Sequence, residues 1–157
     1  MFKAEPVEES FFSSAPFLMK DTFAIAKPAA EVWAELTEDN PLSWCRAIGS
    51  IEWTSERPFD VGTTRTVFAA GGLSIYNERF FIWEEGSRKS FYVIEARLPG
   101  FKSFAEDYLV EPTGERSCRF TWTLAGELQG IARFGEGGNR ALLGTLFKDT
   151  RKHYGAP

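Results

Sequence analysis

Between Thr63 and Leu124 the chain alternates apolar and polar side chains with a period of two, which is typical of β-strands. Short turns interrupt this alternation, and Gly71-Gly72, Glu85-Gly86 and Pro99-Gly100 each have the composition of a two-residue hairpin loop. The pattern therefore predicts an antiparallel meander. Since a two-residue loop fixes which residues face each other, the register can be counted from each loop.

Counting back from these loops predicts a row of charged residues across the sheet. Arg65 comes to lie opposite Glu78, and Glu78 opposite Val93. Val93 comes to lie opposite Glu106, so all four side chains point to one side. The same face carries a mostly aromatic set, namely Tyr76, Phe80, Ile82, Phe91, Phe104, Tyr108 and Val110, together with Glu95. Because burying a charge is costly, charges in an aromatic row predict the wall of a cavity and not a solid core.

Strands and helices are also predicted on both sides of the meander. Residues 17–27 and 48–54 have the alternation of strands, and between them residues 28–37 carry the apolar stripe of an amphipathic helix. Residues 41–47 predict a second short helix. The last pattern, residues 139–154, predicts a C-terminal helix long enough to cross at least five strands. Its inward stripe contains Leu143, Phe147, Thr150 and Tyr154, flanked by Leu142 and Leu146.

The register of the last strand, residues 117–128, has two solutions in the sequence. A two-residue loop within residues 112–115 turns a polar set toward the charged face, namely Arg119, Thr121 and Thr123. A three-residue loop turns an apolar set to that face, namely Phe120, Trp122 and Leu124. Packing favours the apolar set.

The domain organisation predicted is one folded unit, residues 17–157, preceded by a flexible lead-in. Residues 1–16 contain Glu5, Glu8, Glu9, two prolines and three serines, a composition typical of a loosely attached segment. The rest is rich in aromatic side chains, with 15 Phe and 5 Trp in the whole chain. Such side chains supply a large interior or an aromatic pocket.

Charge and hydropathy limit the kinds of partner that the protein can bind. A formal net charge of −4 without a basic cluster argues against nucleic acid, and it disfavours anionic membranes for the same reason. No apolar stretch approaches the roughly 20 residues that cross a bilayer, and residues 1–20 do not resemble a signal peptide. We therefore expect no membrane insertion and a cytoplasmic location. The oligomeric state is not determined by any pattern in the sequence.

Few residues could carry metal or nucleophile chemistry. Cys45 and Cys118 stand alone, which predicts reduced, partly buried thiols. His153 is the single histidine, so the usual zinc sites and most Ser-His or Cys-His systems are excluded. We therefore expect no metal and no cofactor. Any catalysis would depend on Glu, Asp, Arg, Lys or Tyr for proton transfer.

The element order of residues 17–154, together with four short segments, resembles a known superfamily. The segments are Val61-Gly62-Thr63-Thr64-Arg65, Asn77-Glu78-Arg79-Phe80, Arg88-Lys89-Ser90-Phe91 and Phe120-Thr121-Trp122. They resemble the bacterial polyketide cyclase/dehydrase and lipid-transport group of the START/Bet v 1-like (SRPBCC) superfamily. The resemblance implies an α+β helix-grip fold. A curved antiparallel sheet of about seven strands would wrap around the C-terminal helix, with two short helices after the first strand.

The same resemblance implies a cavity between sheet and helix that holds a small hydrophobic or aromatic molecule. In plant hormone receptors of the superfamily, the Glu that matches Glu78 faces the cavity and helps to bind the polar end of the ligand. The gate loop of those receptors is not preserved, because residues 69–73 are shorter and lack proline. The resemblance also admits another reading, a co-chaperone-like protein-interaction domain with a collapsed cavity.

Candidate roles follow for the residues of the charged face and the helix. Glu106 is expected to have a raised pKa and to act as a general base, with Arg65 or Tyr108 polarising a carbonyl oxygen, as in a cyclase or dehydratase. The alternatives are a carboxylate at a wet cavity mouth for Glu106 and an exposed ion pair for Arg65 with Glu78. The expected ligand-binding residues are Tyr76, Glu78, Phe80, Phe91, Val93, Phe104, Tyr108, Leu143 and Phe147.

Overall fold

The computed structural model describes residues 1–157 and contains eight strands and three α-helices. The strands are β1 (Phe2–Lys3), β2 (Phe17–Ile25), β3 (Ile48–Trp53), β4 (Thr64–Ala69), β5 (Ser74–Glu84), β6 (Arg88–Ala96), β7 (Phe101–Gly114) and β8 (Ser117–Leu128). The helices are α1 (Phe11–Ser14), α2 (Ala29–Leu36) and α3 (Glu136–Tyr154). Two short 3₁₀ segments lie at Ala70–Gly72 and Gly130–Gly135.

Seven strands form one curved antiparallel sheet in the order β2-β8-β7-β6-β5-β4-β3. Helix α3 packs on one face of it, where the ring of Phe147 lies 5.5 Å from that of Trp122 and 6.3 Å from that of Phe23. This arrangement confirms the helix-grip fold. Residues 41–44 form a turn in which the Cys45 N–H donates to the Leu42 carbonyl. None of the helices has both the length and the apolar character required to span a bilayer.

The register of β4 and β5 is the predicted one. Arg65 pairs with Glu78 across the two strands, and the chain reverses through a tight turn in which Leu73 N–H donates to the Ala70 carbonyl. Both central residues, Gly71 and Gly72, have positive φ angles of 65° and 88°. Glycine is favoured there because residues with a Cβ rarely adopt this conformation.

The β5–β6 loop has three residues, not the predicted two, because Glu84 pairs with Arg88. A bulge at Phe81 compensates for the extra residue, so Phe80 still pairs with Phe91 and Glu78 with Val93. Between the bulge and the loop, each side chain of β5 points to the face opposite to the predicted one. The inward position predicted for Ile82 is therefore wrong, and Trp83 occupies it, with its ring 5.1 Å from that of Phe80.

The pairing predicted between Val93 and Glu106 is also wrong, because Glu106 pairs with Phe91. Residues 97–100 all belong to the β6–β7 connection, so the two-residue loop at Pro99-Gly100 is not formed. The register shifts by two residues, which leaves Glu106 on the predicted face. A second irregularity near Asn77 turns Glu95 away, and its carboxylate accepts a hydrogen bond from Asn77 on the outer face.

The structure selects the apolar solution for β8. Trp122 pairs with Tyr108 and Leu124 with Glu106, so the row that contains Phe120 faces inward. The turn itself has two residues, Glu115 and Arg116, and an irregularity between Pro112 and Gly114 supplies the additional one. All three apolar side chains of this row are fully buried.

Residues 1–16, for which the sequence predicts a flexible lead-in, contain β1 and α1 and contact the sheet. Phe2 pairs with Ala96 and Lys3 with Glu95 at the end of β6. Ala4 N–H then donates to the carbonyl of Ile94. The lead-in therefore adds a short strand at the place where β6 no longer pairs with β7.

Candidate functional site

A cavity of about 190 Å³ lies between the sheet and α3. Its walls are mostly apolar and come from β3 to β8, from α3 and from the segment before β3. Five of the predicted ligand-binding side chains line it together with Glu78, namely Tyr76, Val93, Phe104, Tyr108 and Leu143. Phe80, Phe91 and Phe147 do not line it; they are buried in the core around it.

The cavity opens at one end of the sheet. Antiparallel pairing brings the β4–β5 turn, the β6–β7 loop and the end of β8 to this end. Ala70 and Phe101 line the cavity here, and Leu142 of α3 lines it while remaining 59% exposed. The charged groups of the cavity lie deeper, at the start of β4 and in the middle of β5 and β7.

Arg65 and Glu78 form a buried ion pair at the cavity wall. Arg65 Nε donates to Glu78 Oε2 at 2.6 Å, and the two residues are only 2% and 5% exposed. The exposed surface pair considered above is therefore wrong. Burial raises the pKa of Glu78 against the opposing effect of Arg65. Burial also lowers the pKa of Arg65, but Glu78 outweighs this effect and the pKa is raised overall.

One fully buried polar atom of this pair has no partner. Arg65 Nη1 is fully buried and makes no hydrogen bond, and it is the one buried side-chain nitrogen or oxygen in the protein of which this is true. The guanidinium carbon instead lies 4.5 Å from the ring centre of Phe91 and 5.1 Å from that of Phe80. These rings partly compensate for lost hydration, since a cation is attracted to an aromatic face. Arg65, a residue of the cavity wall, therefore has an unused hydrogen-bond donor.

Glu106 is the third charged residue of the cavity and accepts two hydrogen bonds on one oxygen. Tyr108 Oη donates to Glu106 Oε2 at 2.9 Å, and Trp122 Nε1 donates to the same atom at 2.8 Å. Burial raises the pKa of Glu106 to about 7, and the negative charge of Glu78 contributes. Such a carboxyl group can both accept and release a proton near neutral pH. Oε2 is occupied, so a ligand would approach Oε1.

Tyr108 connects this carboxylate to the aromatic core. Burial raises the pKa of its hydroxyl well above the ordinary value, and the Glu106 carboxylate raises it further. The hydroxyl therefore stays protonated and donates to Glu106. Its ring lies 5.9 Å from that of Phe91 and 5.2 Å from that of Trp122, which holds the hydroxyl in place.

Lys89 is a buried charged residue that is not among the predicted site residues. It is 0% exposed, and its ammonium donates to the carbonyl of Leu36 at the end of α2. Five aromatic rings surround Nζ with centres at 5.1 to 5.9 Å, those of Trp33, Trp53, Phe80, Trp83 and Tyr108. Burial lowers its pKa well below the ordinary value, and Arg65 lowers it further. The sequence alternation does indicate an inward position for Lys89, because Lys89 precedes Phe91 by two residues and so lies on the same face of the strand.

Lys89 does not line the cavity, but its Nζ lies 5.1 Å from the ring centre of Tyr108, which does. The site thus contains two layers. The outer layer, with Arg65, Glu78, Glu106 and Tyr108, is open to a ligand, and the inner layer around Lys89 is closed. No group of three His, Cys, Asp or Glu side chains comes together in a way that could hold a metal ion.

Comparison with known proteins gives a consistent result. Residues 17–152 match the family described as polyketide cyclase / dehydrase and lipid transport. An uncharacterized protein of Mycobacterium tuberculosis is 37% identical over 136 residues, which cover 85% of this chain and 79% of the relative. A protein of Mycobacterium bovis matches equally well.

Solved structures share the fold at low identity. Ginseng major latex-like protein 151 from Panax ginseng superimposes with a TM-score of 0.66 at 17% identity, covering 88% of this chain and 97% of that one. A START superfamily protein from Mycobacterium smegmatis gives a TM-score of 0.63 at 14% identity, covering 87% and 96% of the two chains. At this identity the likeness concerns the fold.

Proposed function

Because the chain belongs to the polyketide cyclase/dehydrase and lipid transport family, we propose that it binds a small hydrophobic or aromatic molecule between the sheet and α3. One observation carries the proposal. The apolar cavity of about 190 Å³ is lined by Arg65, whose Nη1 is a buried hydrogen-bond donor without a partner. A ligand oxygen that accepts this hydrogen bond would compensate for the desolvation of the guanidinium.

The cavity also limits the size and charge of the ligand. A dry apolar cavity of about 150 Å³ can hold benzene, so this one suits a molecule of about one or two rings. The charge of Arg65 is already balanced by Glu78, and Glu106 becomes negative near neutral pH. A neutral acceptor such as a carbonyl group therefore fits better than a carboxylate, which would be repelled by both acids.

Native mass spectrometry of the purified protein tests this proposal. We expect a co-purified small molecule, or binding of an added phenyl ketone, in the wild type and its loss in Leu143→Trp, because the larger side chain would occupy the cavity. Val61→Trp is the matched control, since Val61 is 62% exposed and remote from the cavity. Equal binding by Leu143→Trp and the wild type would contradict the proposal, provided that both unfold with similar midpoints.

A second candidate function, catalysis by Glu106, is favoured by the raised pKa of this buried carboxyl group. Glu106 takes a proton from a carbon next to the ligand carbonyl. The electron pair of the C–H bond forms a carbon–carbon double bond, and the π pair of the carbonyl group moves to its oxygen. The resulting enolate is stabilised by the Arg65 N–H or by Tyr108. This proton transfer is the first step of an aldol cyclisation or a dehydration.

Exchange of the proton next to the carbonyl of the same phenyl ketone with deuterium from the solvent, followed by NMR, tests the second candidate. We expect exchange above the buffer rate in the wild type and loss of it in Glu106→Gln, with binding retained. Glu52→Gln is the control, because Glu52 is exposed and distant from the cavity. Binding without exchange in the wild type would exclude catalysis of this kind and leave the binding function intact.

A further inference from the structure

The sheet splits between β6 and β7 at the end where the cavity opens. The two strands pair as far as Tyr92 and Ala105, and their pairing stops there. Continued pairing would bring Val93 opposite Phe104, and both of these side chains line the cavity. We call this gap the fork. The cavity wall therefore contains a place where two neighbouring strands are not hydrogen-bonded to each other.

Residues 2–5, which we call the tip, fill the fork. Ala4 N–H donates to the Ile94 carbonyl of β6 at 2.8 Å, and Glu5 N–H donates to the Lys102 carbonyl of β7 at 2.8 Å. The Ala4 side chain also packs against the hydrophobic core. The tip therefore contacts both strands of the fork and completes the sheet at this part of the cavity wall.

Residues 9–15 are held on the outer face of the sheet and form what we call the anchor. The ring of Phe12 lies 6.0 Å from that of Phe81 on β5, and helix α1 packs against β7 and β8. Ala15, at the end of the anchor, is 7% exposed. Apolar burial of this kind fixes the anchor to the sheet independently of the tip.

The tip has weaker contacts than the anchor. Phe2 is 53% exposed and Lys3 is exposed as well. The Glu5 carboxylate lies 3.8 Å from Lys102 Nζ, but these side chains are 65% and 45% exposed, so the pair contributes little. A few residues at a chain end that are held mainly by backbone hydrogen bonds open more readily than a core strand.

From these contacts we propose that the tip is a removable plug. It leaves the fork while the anchor stays in place, and its departure opens a lateral entrance to the cavity between β6 and β7. Val93 and Phe104 border this entrance, so it suits the passage of an apolar molecule. The proposal concerns access to the cavity and does not depend on which ligand binds there.

Thiol labelling of a Val93→Cys variant measures access to the cavity without any ligand. Val93 is 4% exposed, so the new thiol should react slowly with the neutral reagent 4,4′-dithiodipyridine in the full-length chain. Deletion of residues 2–5 should raise this rate about tenfold or more, because the fork then stays open. Cys45 and Cys118 are internal controls, since both are buried and neither lines the cavity. Mass spectrometry of peptides assigns each label to its cysteine.

Ala4→Pro, combined with Val93→Cys, repeats the test in the full-length chain, because proline lacks the N–H that donates to Ile94. Lys3→Ala is the control in the same segment, since its side chain is exposed and the Ala4 and Glu5 N–H groups remain. Equal labelling of Val93→Cys with and without the tip would overturn the proposal. Equal acceleration at Cys45 and Cys118 would also overturn it, because the whole fold would then have loosened.

Discussion

Replacing Arg65 with methionine is expected to lower the free energy of unfolding by about 3–5 kcal/mol, because the Glu78 carboxylate would remain buried without its partner. Glu78 is 5% exposed and Arg65 makes its 2.6 Å contact. A buried carboxylate that loses its hydrogen-bonded cation must either ionise at high cost or take up a proton. Urea denaturation followed by tryptophan fluorescence measures the change as a shift of the midpoint at constant slope.

The double variant Arg65→Met/Glu78→Met separates the charge effect from the packing effect. It should recover most of the lost stability, since buried ion pairs are often replaceable by apolar side chains of similar volume. Arg119→Met is the matched control, because its pair with Glu111 is about half exposed on both sides and should contribute less than about 1 kcal/mol. Equal losses in Arg65→Met and Arg119→Met would contradict a buried, energetically important pair.

The stability of the protein is expected to fall as the pH rises from about 4.5 to about 7, by about 3 kcal/mol from Glu106 alone. The folded protein holds the Glu106 proton more tightly than the unfolded chain, because burial raises the pKa in the folded state only. Below the unfolded pKa both states are protonated and the folded state has its full stability. Above the folded pKa both are ionised, and the folded state bears the cost of a buried charge.

Unfolding free energies measured across this pH range for the wild type and Glu106→Gln isolate this contribution. The glutamine keeps an oxygen that accepts from Tyr108 and Trp122 but cannot ionise, so the difference between the two proteins should grow with pH. Glu52→Gln should follow the wild type, because Glu52 is exposed. A constant difference between Glu106→Gln and the wild type across the range would show that Glu106 has an ordinary pKa.

Lys89 should produce a trend of opposite sign at higher pH. Its pKa is lowered in the folded state, so the folded protein releases the ammonium proton more readily than the unfolded chain does. Stability from this group therefore rises with pH, between the lowered pKa and the unfolded value of 10.5. The two trends are distinguishable because only the first one disappears in Glu106→Gln.

The fold could be predicted from the sequence, and so could the side of the sheet on which Arg65, Glu78 and Glu106 lie. The turn at Gly71-Gly72 determines the pairing of Arg65 with Glu78, since a tight hairpin leaves no freedom of register. Glu106 was placed on the correct face even though its pairing partner was wrong, because a shift of two residues preserves the side of a strand. Local turn chemistry and the period of two were enough for these conclusions.

Other residues could not be placed from local patterns. The bulge at Phe81 turns Trp83 inward and Ile82 outward, and nothing in the alternation of the strand marks it. The sequence allowed two registers for β8, and only its pairing with β7 in the sheet shows that the row containing Trp122 faces inward. Phe80, Phe91 and Phe147 share the predicted face or stripe but fill the core, because the distance between sheet and helix decides which side chains border empty space.

The charged row from Arg65 through Glu78 to the strand of Glu106 was therefore determined by the sequence alone, through turn lengths and side-chain alternation. Only the tertiary structure decided that the ion pair is buried, that one Arg65 nitrogen lacks a partner, and that Glu106 shares its oxygen between Tyr108 and Trp122. The physical reason is that register depends on neighbouring residues. Burial and pKa, in contrast, depend on α3 and on strands distant in the chain that remove water from the site.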